Sequence, residues 1–147
     1  MKAIHVTRLI KAPLPAVFQA VSDVRNFCEA VPHIINIEFL TDQQVGTGTR
    51  FRETRVMKGK EQSVELEVAE YVENDRVRMI SDAGGTIWDS VFTVKETTDG
   101  VSLDLQMDIR PHKFMARLMV PLIRSMVVKG VEDDMESVKQ YCESTSR

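Results

Sequence analysis

The feature that most constrains the fold is a run of alternating apolar and polar residues from Ile34 to Ile109. Six segments with a two-residue period are joined there by short turns such as Lys58-Gly59-Lys60, Gly84-Gly85 and Asp99-Gly100. Residues two apart on a strand lie on the same face, so each segment predicts a strand with one apolar and one polar face. Short turns join antiparallel neighbours, and the run therefore predicts an antiparallel meander with one face on solvent.

The segments on either side of this run have other patterns. Residues Lys2 to Ile10 alternate and predict a further strand. Pro15 is well placed in the first turn of a short amphipathic helix, and Asp23 ends that helix and caps a second one that extends to about Ala30. From His112 to about Cys142 apolar residues recur every three or four positions, which predicts a long helix with an apolar stripe.

Three features of the long helix lead to further expectations. Pro121 removes a backbone donor, so we expect it to separate a short helix near residues 114–119 from a long one that begins at about Pro121. Gly130 costs about 1 kcal/mol relative to alanine, which suggests either close approach to the sheet or space for a ligand. Asp133 and Asp134 are expected on the polar side of the helix.

A sheet with one apolar face and a helix with one apolar stripe must cover each other. The predicted fold class is therefore α+β, a helix-grip fold. A curved seven-stranded antiparallel sheet wraps around the long C-terminal helix, and two short helices lie between strands 1 and 2. No linker divides the 147 residues, so we expect a single domain over residues 1–147, with an apolar cavity between sheet and helix.

Composition limits the possible partners. The chain has 19 Lys and Arg against 22 Asp and Glu and no basic tract, which argues against nucleic acid as a partner. No apolar stretch reaches the roughly 20 residues of a membrane helix and no export signal is visible, so a cytoplasmic location is expected. The histidines and the two cysteines lack metal-ligand spacing, and we predict neither a metal nor a cofactor. The sequence leaves the oligomeric state open.

Two segments resemble a known superfamily. The first is Ile10-Lys-Ala-Pro-Leu-Pro-Ala-Val-Phe-Gln-Ala-Val-Ser-Asp, and the second is the turn Val45-Gly-Thr-Gly-Thr-Arg-Phe-Arg. With the order of elements, they resemble the polyketide cyclase/dehydrase and lipid-transport superfamily (SRPBCC), which includes START-like and birch-pollen-allergen-like proteins. The resemblance covers nearly the whole chain and implies a small-molecule cavity. Its members include lipid carriers, aromatic cyclases and ubiquinone-binding proteins, so the chemistry stays open.

The apolar face of the sheet and the helix supplies the candidate ligand-binding residues. They are Phe39, Phe51, Val64, Leu66, Trp88, Ser90, Phe92, Leu105, Met107, Ile123, Val127 and Met135. Trp88 either packs in the core or stacks on a ligand, and its indole N–H needs a partner if it is buried. Asp89 has the opposite parity and is expected to be solvated.

The strand from Thr49 to Met57 departs from the pattern of its neighbours. Glu53 and Arg55 share parity with Phe51, so all three point to the same face. If that face is the interior, the two charges should pair, because an unpaired buried charge is costly. They would then be the candidate catalytic residues, for proton transfer or for binding a carbonyl or carboxylate. The alternative is an edge strand from which both side chains reach solvent at the cavity mouth.

Three functions are consistent with these patterns. The favoured one is a carrier or sensor of a hydrophobic small molecule such as a lipid, a polyketide or an isoprenoid-like compound. The second is a cofactor-free cyclase or dehydratase that acts through Glu53 and Arg55 on a polyketide-like or steroid-like substrate. The third is a protein-interaction module. An almost wholly apolar interior favours the carrier, whereas polar side chains that converge inside it with shifted pKa values favour the enzyme.

Overall fold

The architecture is described by a computed structural model that covers residues 2–145. The elements, in chain order, are β1 (Ile4–Ile10), α1 (Leu14–Ser22), α2 (Val24–Ala30), β2 (Ile34–Phe39), β3 (Arg50–Met57), β4 (Lys60–Val72), β5 (Arg76–Ala83), β6 (Thr86–Thr97), β7 (Gly100–Pro111) and α3 (Phe114–Thr145). The predicted order of one strand, two short helices, six strands and a long helix is confirmed.

The seven strands form one antiparallel sheet in the order β1-β7-β6-β5-β4-β3-β2. Neighbours are consecutive in the chain except for β1, which pairs with β7 and so brings the first strand beside the last. Register shifts interrupt the pairing at Ile34/Asn36 in β2 and at Val68/Glu70 in β4. Such irregularities bend and twist a strand. The predicted curved sheet around a long helix is confirmed.

A proline in the first turn of α1 and an aspartate cap on α2 explain where the two short helices begin. Pro15 lies in the first turn of α1, where a missing amide hydrogen costs nothing. The Asp23 carboxylate accepts a hydrogen bond of 3.0 Å from the backbone N–H of Arg25 and so caps α2. Val17 and Phe18 are buried, and α1 packs against β5, β6 and β7. The helices therefore cover part of the face on which α3 lies.

The core lies between the concave face of the sheet and the three helices. Large side chains from several elements are fully buried in it, among them Ile10, Phe18, Phe51, Leu103 and Met135. Removing apolar surface from water stabilises by about 25 cal/mol per Å², so this burial is the main force that holds α3 against the sheet. Within residues 2–145, no helix is both long enough and apolar enough to cross a membrane.

The helix α3 is continuous although Pro121 lies within it. The prediction that Pro121 separates a short helix from a long one is therefore wrong. Proline cannot donate to the carbonyl four residues earlier, which belongs to Arg117. Both residues are exposed, so water can bond this carbonyl, and the packing of the rest of the helix against the core is retained.

Gly130 also differs from one expectation. A Cβ atom added at this position would meet no atom within 4 Å. Close approach of the backbone to the sheet therefore does not explain the glycine, and that explanation is wrong. Open space beside the helix is what the structure shows at this point.

Asp89 is buried on the convex face of the sheet, so the expectation that it is solvated is wrong. Arg78 donates to both carboxylate oxygens, through Nε at 2.9 Å and Nη2 at 2.7 Å, and Arg110 Nη2 donates at 3.0 Å. The hydrogen bonds from Arg78 are the main reason that the pKa of Asp89 is lowered. Because Arg78, Asp89 and Arg110 lie on β5, β6 and β7, the cluster ties three strands together on the solvent side.

We predict that Gly130→Ala raises the free energy of unfolding by about 1 kcal/mol, because alanine loses less backbone entropy in a helix and its methyl group has room. Denaturant-induced unfolding measures this change. Gly100→Ala is the control, since Gly100 has a φ of 142° and a Cβ there would lie 2.9 Å from the carbonyl oxygen of Ile10; it should destabilise. A loss of stability in Gly130→Ala would contradict the prediction.

Candidate functional site

Glu53 and Arg55 lie on β3, which is an interior strand paired with both β2 and β4. In the register of these pairs Glu53 lies between Ile37 and Val64, and its side chain faces the interior with that of Phe51. Glu53 is 6% exposed and Arg55 is partly buried. The alternative in which both residues reach solvent from an edge strand is therefore wrong.

Arg55 joins two carboxylates across the interior. Its Nε donates to Glu53 Oε2 at 3.1 Å, and its Nη1 donates to both oxygens of Asp134, at 3.1 and 2.8 Å. Asp134 belongs to α3, so these bonds link the sheet to the helix. We refer to Glu53, Arg55 and Asp134 as the interior charged cluster. The third nitrogen of the guanidinium, Nη2, donates to no protein acceptor among residues 2–145.

The interior charged cluster holds two acids and one base. Burial by itself would lower the pKa of Arg55, but the charges of Glu53 and Asp134 outweigh it and raise that pKa, so the guanidinium remains charged. Burial raises the pKa of Asp134, Arg55 offsets the rise only in part, and the charge of Glu53 adds to it. With all three groups ionised the cluster has a net negative charge, and the interior strengthens the hold of Asp134 on a proton.

Asp134 was not predicted as a site residue, and its expected place on the polar side of the helix is wrong. It lies three residues after Val131 and four before Val138, and both of these valines are buried. Such spacing puts all three residues on the inner side of the helix. The signal was therefore present in the sequence. The adjacent Asp133 obscured it, since Asp133 is exposed and pairs with Lys129 at 3.0 Å.

The candidate ligand-binding residues share the concave face and the inner side of α3, but they differ in burial. Four of them belong to the packed core and are at most 8% exposed: Phe51, Phe92, Leu105 and Met135. The other eight are partly exposed: Phe39, Val64, Leu66, Trp88, Ser90, Met107, Ile123 and Val127. We refer to these eight as the accessible interior face. It marks the region where α3 covers the sheet least completely.

Trp88 occupies the middle of the accessible interior face. In the register of the sheet it lies between Ser81 on β5 and Ile109 on β7. Its indole N–H donates to the carbonyl oxygen of Ala83 at 3.2 Å, so its polar atom is satisfied within the protein. The ring is therefore left for apolar contacts. Trp88 is the single tryptophan of the chain, and its fluorescence reports on this face alone.

The two cysteines are less suited to catalysis than the interior charged cluster. Neither Cys28 nor Cys142 forms a disulfide. Burial raises the pKa of Cys142 to about 11 and also raises that of Cys28, so both thiols are poor nucleophiles at neutral pH. Within residues 2–145, no group of three or more His, Cys, Asp or Glu side chains is arranged to hold a metal ion.

The sequence matches the profile of a known family over residues 1–143, and that family is described as polyketide cyclase/dehydrase and lipid transport. The chain belongs to this family. The match confirms the resemblance seen in the two sequence segments. No match was found among curated protein sequences.

Solved structures support the same fold at low sequence identity. TTHA0849 from Thermus thermophilus is 18% identical with a TM-score of 0.80, and the alignment covers 99% of this chain and 100% of that one. Ara h 8.0201 is 14% identical with a TM-score of 0.78, over 97% and 98% of the two chains. The di-domain ARO/CYC StfQ from the steffimycin biosynthetic pathway is 10% identical with a TM-score of 0.81, over 97% of this chain and 51% of that one. These similarities establish the fold alone.

We predict that Asp134→Asn changes how stability depends on pH. Because burial raises the pKa of Asp134, the folded protein holds this proton more tightly than the unfolded chain does. The contribution of Asp134 to stability is therefore greatest at low pH and falls as the pH rises from about 4 through the raised pKa. Relative to the wild type, the free energy of unfolding of Asp134→Asn should increase over that range. Urea unfolding at a series of pH values measures it, and Asp133→Asn, on the exposed side, should show no such trend.

Proposed function

We propose that this protein binds a hydrophobic small molecule that carries a polar acceptor group, between the concave face of the sheet and α3. The observation that carries the proposal is the combination of the accessible interior face with the unpaired Nη2 of Arg55. The first offers apolar contact to the body of a ligand. The second offers one hydrogen-bond donor to its polar end. Sites for small molecules commonly combine apolar walls with a few placed polar groups in this way.

The interior charged cluster limits what the polar end can be. A guanidinium only donates hydrogen bonds, so the ligand atom at Arg55 must be an acceptor. Glu53 and Asp134 hold the guanidinium by its other nitrogens and fix its orientation before any ligand arrives. Because the ionised cluster is already negative, a ligand carboxylate would be repelled. A neutral carbonyl or hydroxyl oxygen fits better, and this favours ketone-bearing polyketide-like, isoprenoid-like or steroid-like compounds.

The comparisons support this class of ligand. The family description names polyketide cyclase, dehydrase and lipid transport, and polyketides and lipids are largely hydrophobic molecules. StfQ is described as an ARO/CYC protein of a biosynthetic pathway, and it shares the fold of this chain.

The proposal predicts that Arg55 discriminates between ligands by their carbonyl group. Progesterone, which bears ketones, should bind and change the fluorescence of Trp88, whereas the hydrocarbon pregnane should bind more weakly. Arg55→Lys keeps the charge but loses the planar fork of donors, so its affinity for progesterone should fall about tenfold, or about 1.4 kcal/mol, with little change for pregnane. Native mass spectrometry gives an independent measure of binding.

The control for this experiment is Arg50→Lys, because Arg50 is an exposed residue on the same strand. Its affinity for both compounds should equal that of the wild type. Equal affinity of the wild type for progesterone and pregnane would contradict the role of Arg55. Failure of every hydrophobic probe to bind would contradict the proposed function itself.

A cofactor-free cyclase or dehydratase is a second candidate, and the interior charged cluster is the observation that favours it. Three charged side chains converge in the interior, and burial raises the pKa of Asp134, so this carboxylate holds a proton more readily than an exposed one does. In such a reaction Glu53 or Asp134 would remove a proton from the carbon beside a ligand carbonyl. Arg55 would stabilise the negative charge that develops on the carbonyl oxygen.

This second candidate predicts that Glu53→Gln and Asp134→Asn abolish or strongly reduce the conversion of a polyketide-like substrate while progesterone still binds. General acid–base groups typically contribute 10²–10⁴-fold to a rate, so losses of about that size are expected. Product formation followed by liquid chromatography and mass spectrometry measures the conversion. Unchanged turnover in both variants would exclude these carboxylates as proton acceptors.

A further inference from the structure

The first half of α3 exposes a continuous set of large apolar side chains. Their exposure ranges from 44% at Met126 to 74% at Leu122. At about 100° per residue they occupy one side of the helix, away from the buried Ala116 and Val120. We refer to this set as the apolar stripe: Phe114, Met115, Leu118, Met119, Leu122 and Met126. Large exposed apolar patches on soluble domains mark interaction sites.

The apolar stripe lies in a basic segment of an acidic chain. Residues 110–130 contain five of the 19 Lys and Arg residues and none of the 22 Asp and Glu residues, although the whole chain has a net charge of −3. Lys113 and Arg117 are exposed beside the stripe, and Lys129 is exposed just beyond Met126. An apolar helix side bordered by Lys and Arg is typical of a helix that lies in the interface of an anionic bilayer.

We propose that the first half of α3 docks on an anionic membrane surface. The apolar stripe enters the boundary between headgroups and acyl chains, and Lys113 and Arg117 contact the lipid headgroups. The contact is peripheral, because no helix in residues 2–145 is long and apolar enough to cross the membrane. Anionic lipids attract basic residues near a membrane surface, which adds to the burial of the apolar side chains.

A second copy of the chain fits the same surface less well. A two-fold symmetric contact pairs a patch with itself. The basic residues of one chain would then face the basic segment of the other, and residues 110–130 contain no acidic residue to offset them. An anionic bilayer satisfies both the apolar and the charged character of the surface.

The proposed membrane contact and the proposed ligand site use different sides of the same helix turns. Ile123 and Val127 point to the interior and belong to the accessible interior face, whereas Leu122 and Met126 point outward. Docking on a membrane therefore does not require a bound ligand. Each proposal can be tested while the other fails.

Flotation with lipid vesicles tests the proposal. The wild-type protein should float with vesicles of phosphatidylcholine and phosphatidylglycerol in equal amounts and stay behind with phosphatidylcholine alone. Leu118→Ser/Leu122→Ser should reduce the bound fraction about tenfold or more, since it removes two exposed apolar groups from the middle of the stripe. Lys113→Glu/Arg117→Glu should have a similar effect, and added salt should weaken the binding of the wild type.

The matched control is Ile35→Ser, because Ile35 is 50% exposed on β2, outside the apolar stripe; it should float like the wild type. Progesterone binding by Leu118→Ser/Leu122→Ser should be unchanged, which separates loss of docking from loss of the ligand site or of the fold. Absence of flotation with the vesicles that contain phosphatidylglycerol, equal flotation with neutral vesicles, or normal flotation of both double variants would overturn the proposal. A wild-type dimer in solution that the Leu118→Ser/Leu122→Ser variant loses would assign the stripe to a second copy instead.

Discussion

Burial of the concave face of the sheet against α3 and the two short helices is the constraint on which the rest of this structure depends. The apolar face of a sheet must be covered by other elements, and α3, which follows β7, is the longest of the helices that cover it here. The second half of α3 is held tightly, with Val131, Met135, Val138 and Cys142 buried. In the first half only Ala116 and Val120 are buried. This uneven burial leaves the accessible interior face partly exposed and also leaves the apolar stripe in contact with solvent.

The interior charged cluster is hard to explain by stability alone. Desolvating two carboxylates and a guanidinium costs several kcal/mol per ion, and apolar residues of similar volume often stabilise a core at least as well. The hydrogen bonds from Arg55 to Glu53 and Asp134 offset this cost without using the whole guanidinium. This cost is the physical reason for proposing that the cluster serves a ligand acceptor or proton transfer. Its position between the sheet and α3, beside the accessible interior face, agrees with that view.

Most of the fold could be predicted from the sequence, because burial of one sheet face imposes a two-residue period that a single chain reveals. The details that were wrong depend on neighbours that are distant in sequence. Asp89 is covered by arginines from two adjacent strands, which only the register brings together. The direction of Glu53 depended on whether β3 is an edge strand, and thus on its pairing with β2. Pro121 is tolerated because its side of the helix faces water. Asp134 could have been placed from the sequence, because it is spaced like the buried Val131 and Val138. The adjacent exposed Asp133 obscured this signal.

The proline within α3 has a mechanical consequence. At Pro121 the backbone ladder lacks the bond to the carbonyl of Arg117, so the turns before it are joined to the remainder of the helix by fewer hydrogen bonds than elsewhere. Bending at this joint costs less than bending at any regular turn. The joint lies directly after Val120, a buried residue of the first half. The part of α3 before Pro121 can therefore bend relative to the part that packs on the core, because Pro121 lacks a backbone N–H.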